Sequence, residues 1–207
     1  MDRFFDANNP VMRALSRIVD LAVLNIFTIV SALPVITLGA SMTAMNNVLI
    51  HFIRNDESYI VSMFKKSFKI NFRQAVPEGL MAIAVALITA VDLWFLHSMN
   101  SRAVTLLMIV ISVVAAFILT AFVYVFALQS RYENTIRGTI VNAFRLALGN
   151  LPRTVVMMIV WISWIFLMRF LNKAAPLVIF LYGFTFPGYI CALIYEPIFT
   201  GLEAEEE

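Results

Sequence analysis

Residues 103–128 read AVTLLMIVISVVAAFILTAFVYVFAL, a run without a single charge. A helix of about 20 such residues crosses the hydrocarbon layer of a bilayer. Inside lipid only helices or closed barrels satisfy the backbone N–H and C=O groups. The run lacks the strict alternation of a barrel strand, so it predicts a spanning helix. Gly79–Leu96, Thr154–Leu171 and Ala175–Phe199 are nearly as apolar, each with one charged residue. Of 207 residues, 61% are hydrophobic and 14% charged, against about half and a quarter in soluble domains. The chain therefore reads as all-α: one polytopic helical membrane domain, residues 1–207, with the lipid bilayer as its first partner.

The first apolar run, Leu15–Ile53, is too long for one crossing and contains Pro34 and Gly39. Proline removes a backbone donor and glycine tolerates unusual dihedrals, so both suit a bend. Charge decides between a kink and a reversal, because Lys and Arg collect on the cytoplasmic side of a membrane. A single crossing puts nine Lys/Arg on one side and six on the other; a reversal at PVITLG puts twelve against three. The chain then reads as a broken helical hairpin (15–53), an amphipathic helix plus hairpin (54–128), a second such unit (129–199) and an acidic tail (200–207). That makes five to six membrane segments in a bacterial cell membrane, with both termini cytoplasmic. The return arm, residues 39–53, rises only about 22 Å as a helix, so it is expected to be thin and tilted or re-entrant.

The two polar links are patterned. In NDESYIVSMFKKSFKINFRQAVP, Ile60, Phe64, Phe68 and Phe72 recur every four residues, while Lys65, Lys66, Lys69 and Arg73 share the other face. This predicts a basic amphipathic helix on the inner leaflet, started by Asn55 or Asp56. In ENTIRGTIVNAFRLALGNLP, Ile136, Ile140, Phe144 and Leu148 repeat the spacing 76 residues later, with Asn134 as the cap. Each helix precedes a proline and two spans, the form of a parallel internal repeat.

The segments LPVITLGASMTA and RNDESYIVSMFKKSFKINFRQA resemble the YesL-like family of bacterial integral membrane proteins, a domain family of unknown function. The resemblance is strongest over residues 1–76 and continues weakly to about residue 200. It implies an accessory role in carbohydrate use and supplies no catalytic residues.

Enzyme signatures are missing: no P-loop, no Gly-x-Ser-x-Gly, no His-Glu-x-x-His. His51 and His97 fall at opposite membrane edges, and Cys191 reads as a small buried hydrophobe. No enzyme, cofactor, metal or nucleic-acid role is expected. Polar groups inside apolar runs are the better leads, since lipid makes them costly. Asp92 and Arg169 are expected to pair in the outer leaflet. Asp20 is expected to meet Arg54 or Arg17, and Glu196 to be reached by Arg131. Asn25, Asn46 and Asn47 suit interhelical hydrogen bonds. Pro34, Thr37, Gly39, Ser41, Thr43, Asn46 and Asn47 outline a site at the broken hairpin, read either as small-residue packing or as a helix start facing a ligand. The pair of tryptophans in WISW suits an interfacial belt, and the tail LEAEEE suits solvent.

Two functions fit. One is a non-enzymatic accessory component of oligosaccharide uptake or sensing, in contact with a carbohydrate transporter or sensor complex. The other is a small solute carrier with its site at the broken hairpin. A homo-oligomer is compatible with either.

Overall fold

The first apolar run turns back. The structure, a computed structural model, describes residues 10–54, 59–99 and 101–206; the expected caps Asn55 and Asp56, and Arg3, lie outside the described residues. Helix α1 (Pro10–Ala32) stops short of Pro34, whose ring disfavours a helical residue before it. Val35–Thr37 form one 3-10 turn, and α2 (Leu38–Ile53) returns. Thr37 closes the bend: its Oγ1 lies 2.5 Å from the Ser31 carbonyl and 2.6 Å from the Pro34 carbonyl, which share its single proton.

The return arm is a full helix at the centre of the bundle, packed on α1 and on α3 (Ile60–His97), α4 (Arg102–Arg131) and α8 (Thr185–Glu206). Ala40, Ala44, Val48 and Leu49 are fully buried. Sixteen residues rise only about 24 Å. The shortfall is harmless because protein rather than lipid surrounds α2. The closest approach is to α3. A Cβ built on Gly39 would overlap the Ala75 carbonyl oxygen and come within 2.8 Å of Gly79 Cα. This is small-residue packing of the kind that lets two backbones touch.

The first amphipathic segment is not a separate helix on the membrane surface. It runs straight through Pro77 into the span, giving a 38-residue α3 about 57 Å long. Its apolar face packs on protein: Phe64 is buried against Phe27, and Phe64, Phe68 and Phe72 form a ladder of rings. Helix α5 (Ile136–Gly149) is separate as expected, but Thr135 rather than Asn134 caps it, its hydroxyl accepting from Gly138 N–H at 3.2 Å.

Five described stretches are long and apolar enough to cross a membrane: Leu15–Ala32, Val35–Ile53, Ile60–His97, Arg102–Arg131 and Leu151–Tyr182. The last is no single rod. It joins α6 (Leu151–Leu171) to α7 (Ala175–Tyr182) through a 3-10 turn at Asn172–Ala174. Trp164 Nε1 donates to the Gly183 carbonyl at 3.0 Å across 19 residues, a separation that a straight helix would stretch to about 28 Å. The chain reverses at Asn172, which takes a left-handed φ of 47°.

The expected final span is broken between α7 and α8. Asn25 mends the break from α1. Its amide donates to the Ile179 and Phe180 carbonyls at 3.0 and 2.8 Å. Its oxygen accepts from the Phe184 and Thr185 N–H groups at 2.9 and 3.1 Å. One side chain thus satisfies backbone groups that lipid would leave unpaired. The WISW tryptophans also turn inward: Trp164 stacks on Phe186, and Trp161 packs against the core.

Candidate functional site

The ends of α2, α4 and α8 gather with the start of α3 at one end of the bundle, the basic end. Glu196 of α8 is 4% exposed and accepts from two arginines. Arg54 Nε reaches it at 2.5 Å and Arg131 Nη1 at 3.2 Å. Glu203, about two turns further along α8, takes Arg54 at 3.3 Å, bonds Arg131, and accepts from the Tyr132 hydroxyl at 3.0 Å. Burial pushes the Glu203 carboxyl up, but Tyr132 and the two guanidiniums outweigh it and hold the group below its usual value. Burial, then the bond to Glu203, pushes the Tyr132 phenol up to about 12. Burying ions is costly unless each is paired and hydrogen-bonded, and this cluster pairs every member.

Arg131 therefore reaches Glu196, as the sequence suggests. Arg54 does not go to Asp20, and the tail is no free solvated end, since α8 carries Glu203 into the cluster. The expected Asp92–Arg169 pair does not form. Both side chains are exposed, on α3 and α6 respectively, and among the described residues neither makes an ion pair. The reason is packing: α3 lies on α2 and α4, whereas α6 lies on α4 and α8.

Beside the ion cluster a polar crevice of about 1130 Å³ opens between α2, α3, the end of α4 and the turn into α5. Asn47, Asn71, Gln74, Gln129 and Asn134 line it with side-chain amides, joined by Ser62, Ser67 and Thr135. A network fixes the walls. Asn47 Nδ2 donates to the Ser130 carbonyl at 3.1 Å, tying α2 to α4. Gln129 Nε2 donates to Gln74 Oε1 at 2.7 Å, and its oxygen accepts from Thr139 of α5 at 3.3 Å. Asn71 donates to Ser67 within its own helix at 3.0 Å. His51 Nδ1 donates to the Asn47 carbonyl at 2.8 Å. Lys66 and Arg73 border the crevice; with Lys65 and Lys69 they form the exposed basic face of α3, and none of the four makes an ion pair among the described residues. The arrangement suits hydrogen bonding to a neutral or anionic polar molecule.

The hairpin residues do not gather around a common space. Pro34 and Thr37 make the bend. At Gly39 the α3 backbone fills the position a ligand would need. Ser41 Oγ donates back to the Thr37 carbonyl at 3.1 Å. Asn46 donates to the Met42 carbonyl and accepts from the buried Tyr195 hydroxyl at 2.7 Å. Asn47 alone belongs to the crevice. Thr43 is buried and its hydroxyl has no hydrogen-bond partner among the described residues. A second, apolar cavity of about 350 Å³ lies deeper, between α2, α3, α4 and α6, with Met42, Asn46, Ala82 and Trp161 on its wall.

Gln74, Gln129 and Glu78 carry no weight in a reading by runs and motifs, because they sit at the ends of links. Helical spacing is the signal that finds two of them: Gln74 and Glu78 stand four apart, on the face of α3 that continues to buried Ala82. Among the described residues no group of three His, Cys, Asp or Glu side chains is placed to hold a metal ion. His51 and His97 end α2 and α3 at opposite ends of the bundle, and Cys191 is fully buried.

Residues 21–93 match a family described as "Protein of unknown function, DUF624", which is consistent with the YesL-like resemblance and covers α2, the second half of α1 and most of α3. No curated protein and no solved structure matches the chain.

Proposed function

We propose, for a chain whose residues 21–93 carry the signature of the DUF624 family, a non-enzymatic accessory role in oligosaccharide uptake or sensing at a bacterial cell membrane. The basic end and both termini face the cytoplasm in this reading, as the bias of Lys and Arg favours. The observation that carries it is the crevice. Its amides and hydroxyls offer alternating donors and acceptors, the set that sugar hydroxyls require, and Lys66 and Arg73 add affinity for an anionic sugar or an acidic partner segment. The contact with a carbohydrate transporter or sensor complex would be made at this end. Purified protein in lipid nanodiscs, offered a panel of neutral and acidic oligosaccharides, should show a rise in melting temperature with at least one of them. Asn71→Ala, which keeps the Gln74–Gln129–Thr139 ties and loses a long 3.4 Å bond from Gln129 and the bonds to Ser67 in its own helix, should abolish that rise while lowering the melting temperature of the free protein only slightly. No response to any oligosaccharide, or an undiminished response in the variant, would defeat the reading.

A second reading, a small solute carrier, is favoured by the apolar cavity beside α2 within the bundle. Solute movement by the protein alone in liposomes supports the carrier, and recovery in complex with a carbohydrate transporter supports the accessory role.

A further inference from the structure

Glu78 is the one side chain whose surroundings contradict its chemistry most sharply. It follows Pro77 on α3, beside Gly79 at the crossing with α2. It has no exposed surface, and neither carboxyl oxygen has a hydrogen-bond partner among the described residues. An ionised carboxylate in such a place loses its hydration and gains nothing in return, which strongly disfavours the charge. Buried polar groups are nearly always paired, so an unpaired one points to something held there.

Among the described side chains the neighbouring elements supply no counter-charge; Arg13 of α1 lies outside them. On α2 the only ionisable group is His51, at its far end on the Asn47 carbonyl. On α4, Tyr124 is beside Thr154, Arg131 is on Glu196 and Glu203, and Arg102 is exposed at the opposite end. On α1, Arg17 donates to the Phe52 carbonyl, and Asp20 is only partly buried. On α5, Arg137 and Arg145 are both exposed. None of these bonds Glu78. The 3-10 turn Val35–Thr37, which also touches α3, carries no charge.

The position is also special. One turn before Glu78, Gln74 lines the polar crevice; one turn after it, Ala82 lines the apolar cavity. Residues four apart lie on one face of a helix. Glu78 therefore stands on α3 between the two spaces, within about one helical turn of each.

We infer that Glu78 is a proton-binding site inside the bundle: a carboxyl held in its neutral acid form between crevice and cavity, exchanging its proton with water of the crevice. A proton is the favoured ligand because it needs a single oxygen. A metal cation would need several converging oxygens, and no second carboxylate stands beside Glu78 in any group of three possible ligands among the described residues. The inference does not depend on what the crevice binds.

Infrared difference spectroscopy on the full chain in lipid vesicles tests this. Wild type minus Glu78→Gln at neutral pH should leave one band of a protonated carboxyl, shifted by deuterium exchange. The band should vanish reversibly at alkaline pH and be indifferent to sodium or potassium at fixed pH. Because glutamine keeps the shape of the side chain and removes only the acid, the variant should fold. Should it not fold, wild type labelled with ¹³C at the glutamate carboxyls must still show one resonance that remains in the acid form at neutral pH. Only carboxylate signals at neutral pH would overturn the inference, since a hydrated, ionised Glu78 then explains the site. Loss of the acid band on adding a monovalent cation would overturn it as well, in favour of a metal-ion site.

Discussion

Residues 60–97 and 136–171 are written on the same plan, an amphipathic helix, a proline and an apolar span, yet they fold differently. The first is one helix through Pro77; the second breaks at Asn150 between α5 and α6. Local chemistry favours the opposite for the first. An interior proline costs about 3 kcal/mol relative to alanine and commonly ends or kinks a helix. What overrides it is α2: Gly39 meets Ala75 and Gly79 on either side of the proline, backbone to backbone. The second unit has no such splint. Gly149 touches nothing that an added Cβ would meet, and Asn150 leaves helical geometry at φ −117° and ψ 45°. Pro152 then sits in the first turn of α6, where its missing N–H does no harm. The same written plan gives a rod where a glycine crossing clamps the backbone on both sides of the proline, and a joint where α4 touches both halves without such a crossing.

The comparison breaks most violently at the clamp. Gly79→Val or Gly39→Ala forces α2 and α3 apart, and overpacking of this kind should cost about 3 kcal/mol or more. Thermal unfolding in detergent should show it, or the variants should fail to accumulate. Gly149→Ala should do the reverse, adding up to about 1 kcal/mol through helix propensity. Equal behaviour at the two glycines would remove the clamp as the cause.

Next in size is Glu196→Gln. It removes the more buried of the two carboxylates that Arg131 holds, leaving Glu203 as its counter-ion, and should cost about 2 kcal/mol. Glu203→Gln, on a side chain 38% exposed, should cost under about 1 kcal/mol. Unfolding of the two variants in the same detergent gives the ratio. A larger loss at Glu203 would show that the tail, not the last span, anchors the basic end.

A further effect falls on a side chain that ties both units together, Gln129. Gln129→Ala removes partners from Gln74 and Thr139 at once, at about 1–2 kcal/mol. Amide hydrogen exchange should quicken in α5, which depends on this tie, and stay slow in α3, which α2 holds separately. Faster exchange in α3 as well would mean that the first unit leans on the second.

The same contrast explains which parts of the molecule are legible in the chain. The hairpin at Pro34 is, because a proline, a glycine and the balance of Lys and Arg all argue for the same bend. The patterned faces of α3 and α5 are, because a four-residue spacing is a local property. The continuity of α3 is not: Pro77 reads as a break, and only the arrival of Gly39 from elsewhere in the chain keeps the helix whole. The partner of Arg131 is legible by depth in the membrane, since Glu196 falls near the same edge. Depth offers Asp20 either Arg54 or Arg17 and is blind to which helices adjoin: Arg54 goes to Glu196, which leaves Arg17, one turn before Asp20 on the same helix, as the charge that acts on it. Asp92 and Arg169 fail to meet for that reason too. The crevice is not legible at all, because Gln74 and Gln129 are ordinary until α3 and α4 set them side by side.

The long helix has one mechanical consequence. Gly79 lies near the midpoint of α3, so the crossing with Gly39 is a fulcrum with two nearly equal arms of about 28 Å each. Were α3 to tilt about this crossing, a displacement of one end would reach the other in the opposite sense. A tilt of about 10° moves each tip by about 5 Å, in opposite senses, with no hinge required because a helix rises rigidly along its axis. One arm carries the lysines beside the crevice; the other ends at Trp94 and His97 on the far face.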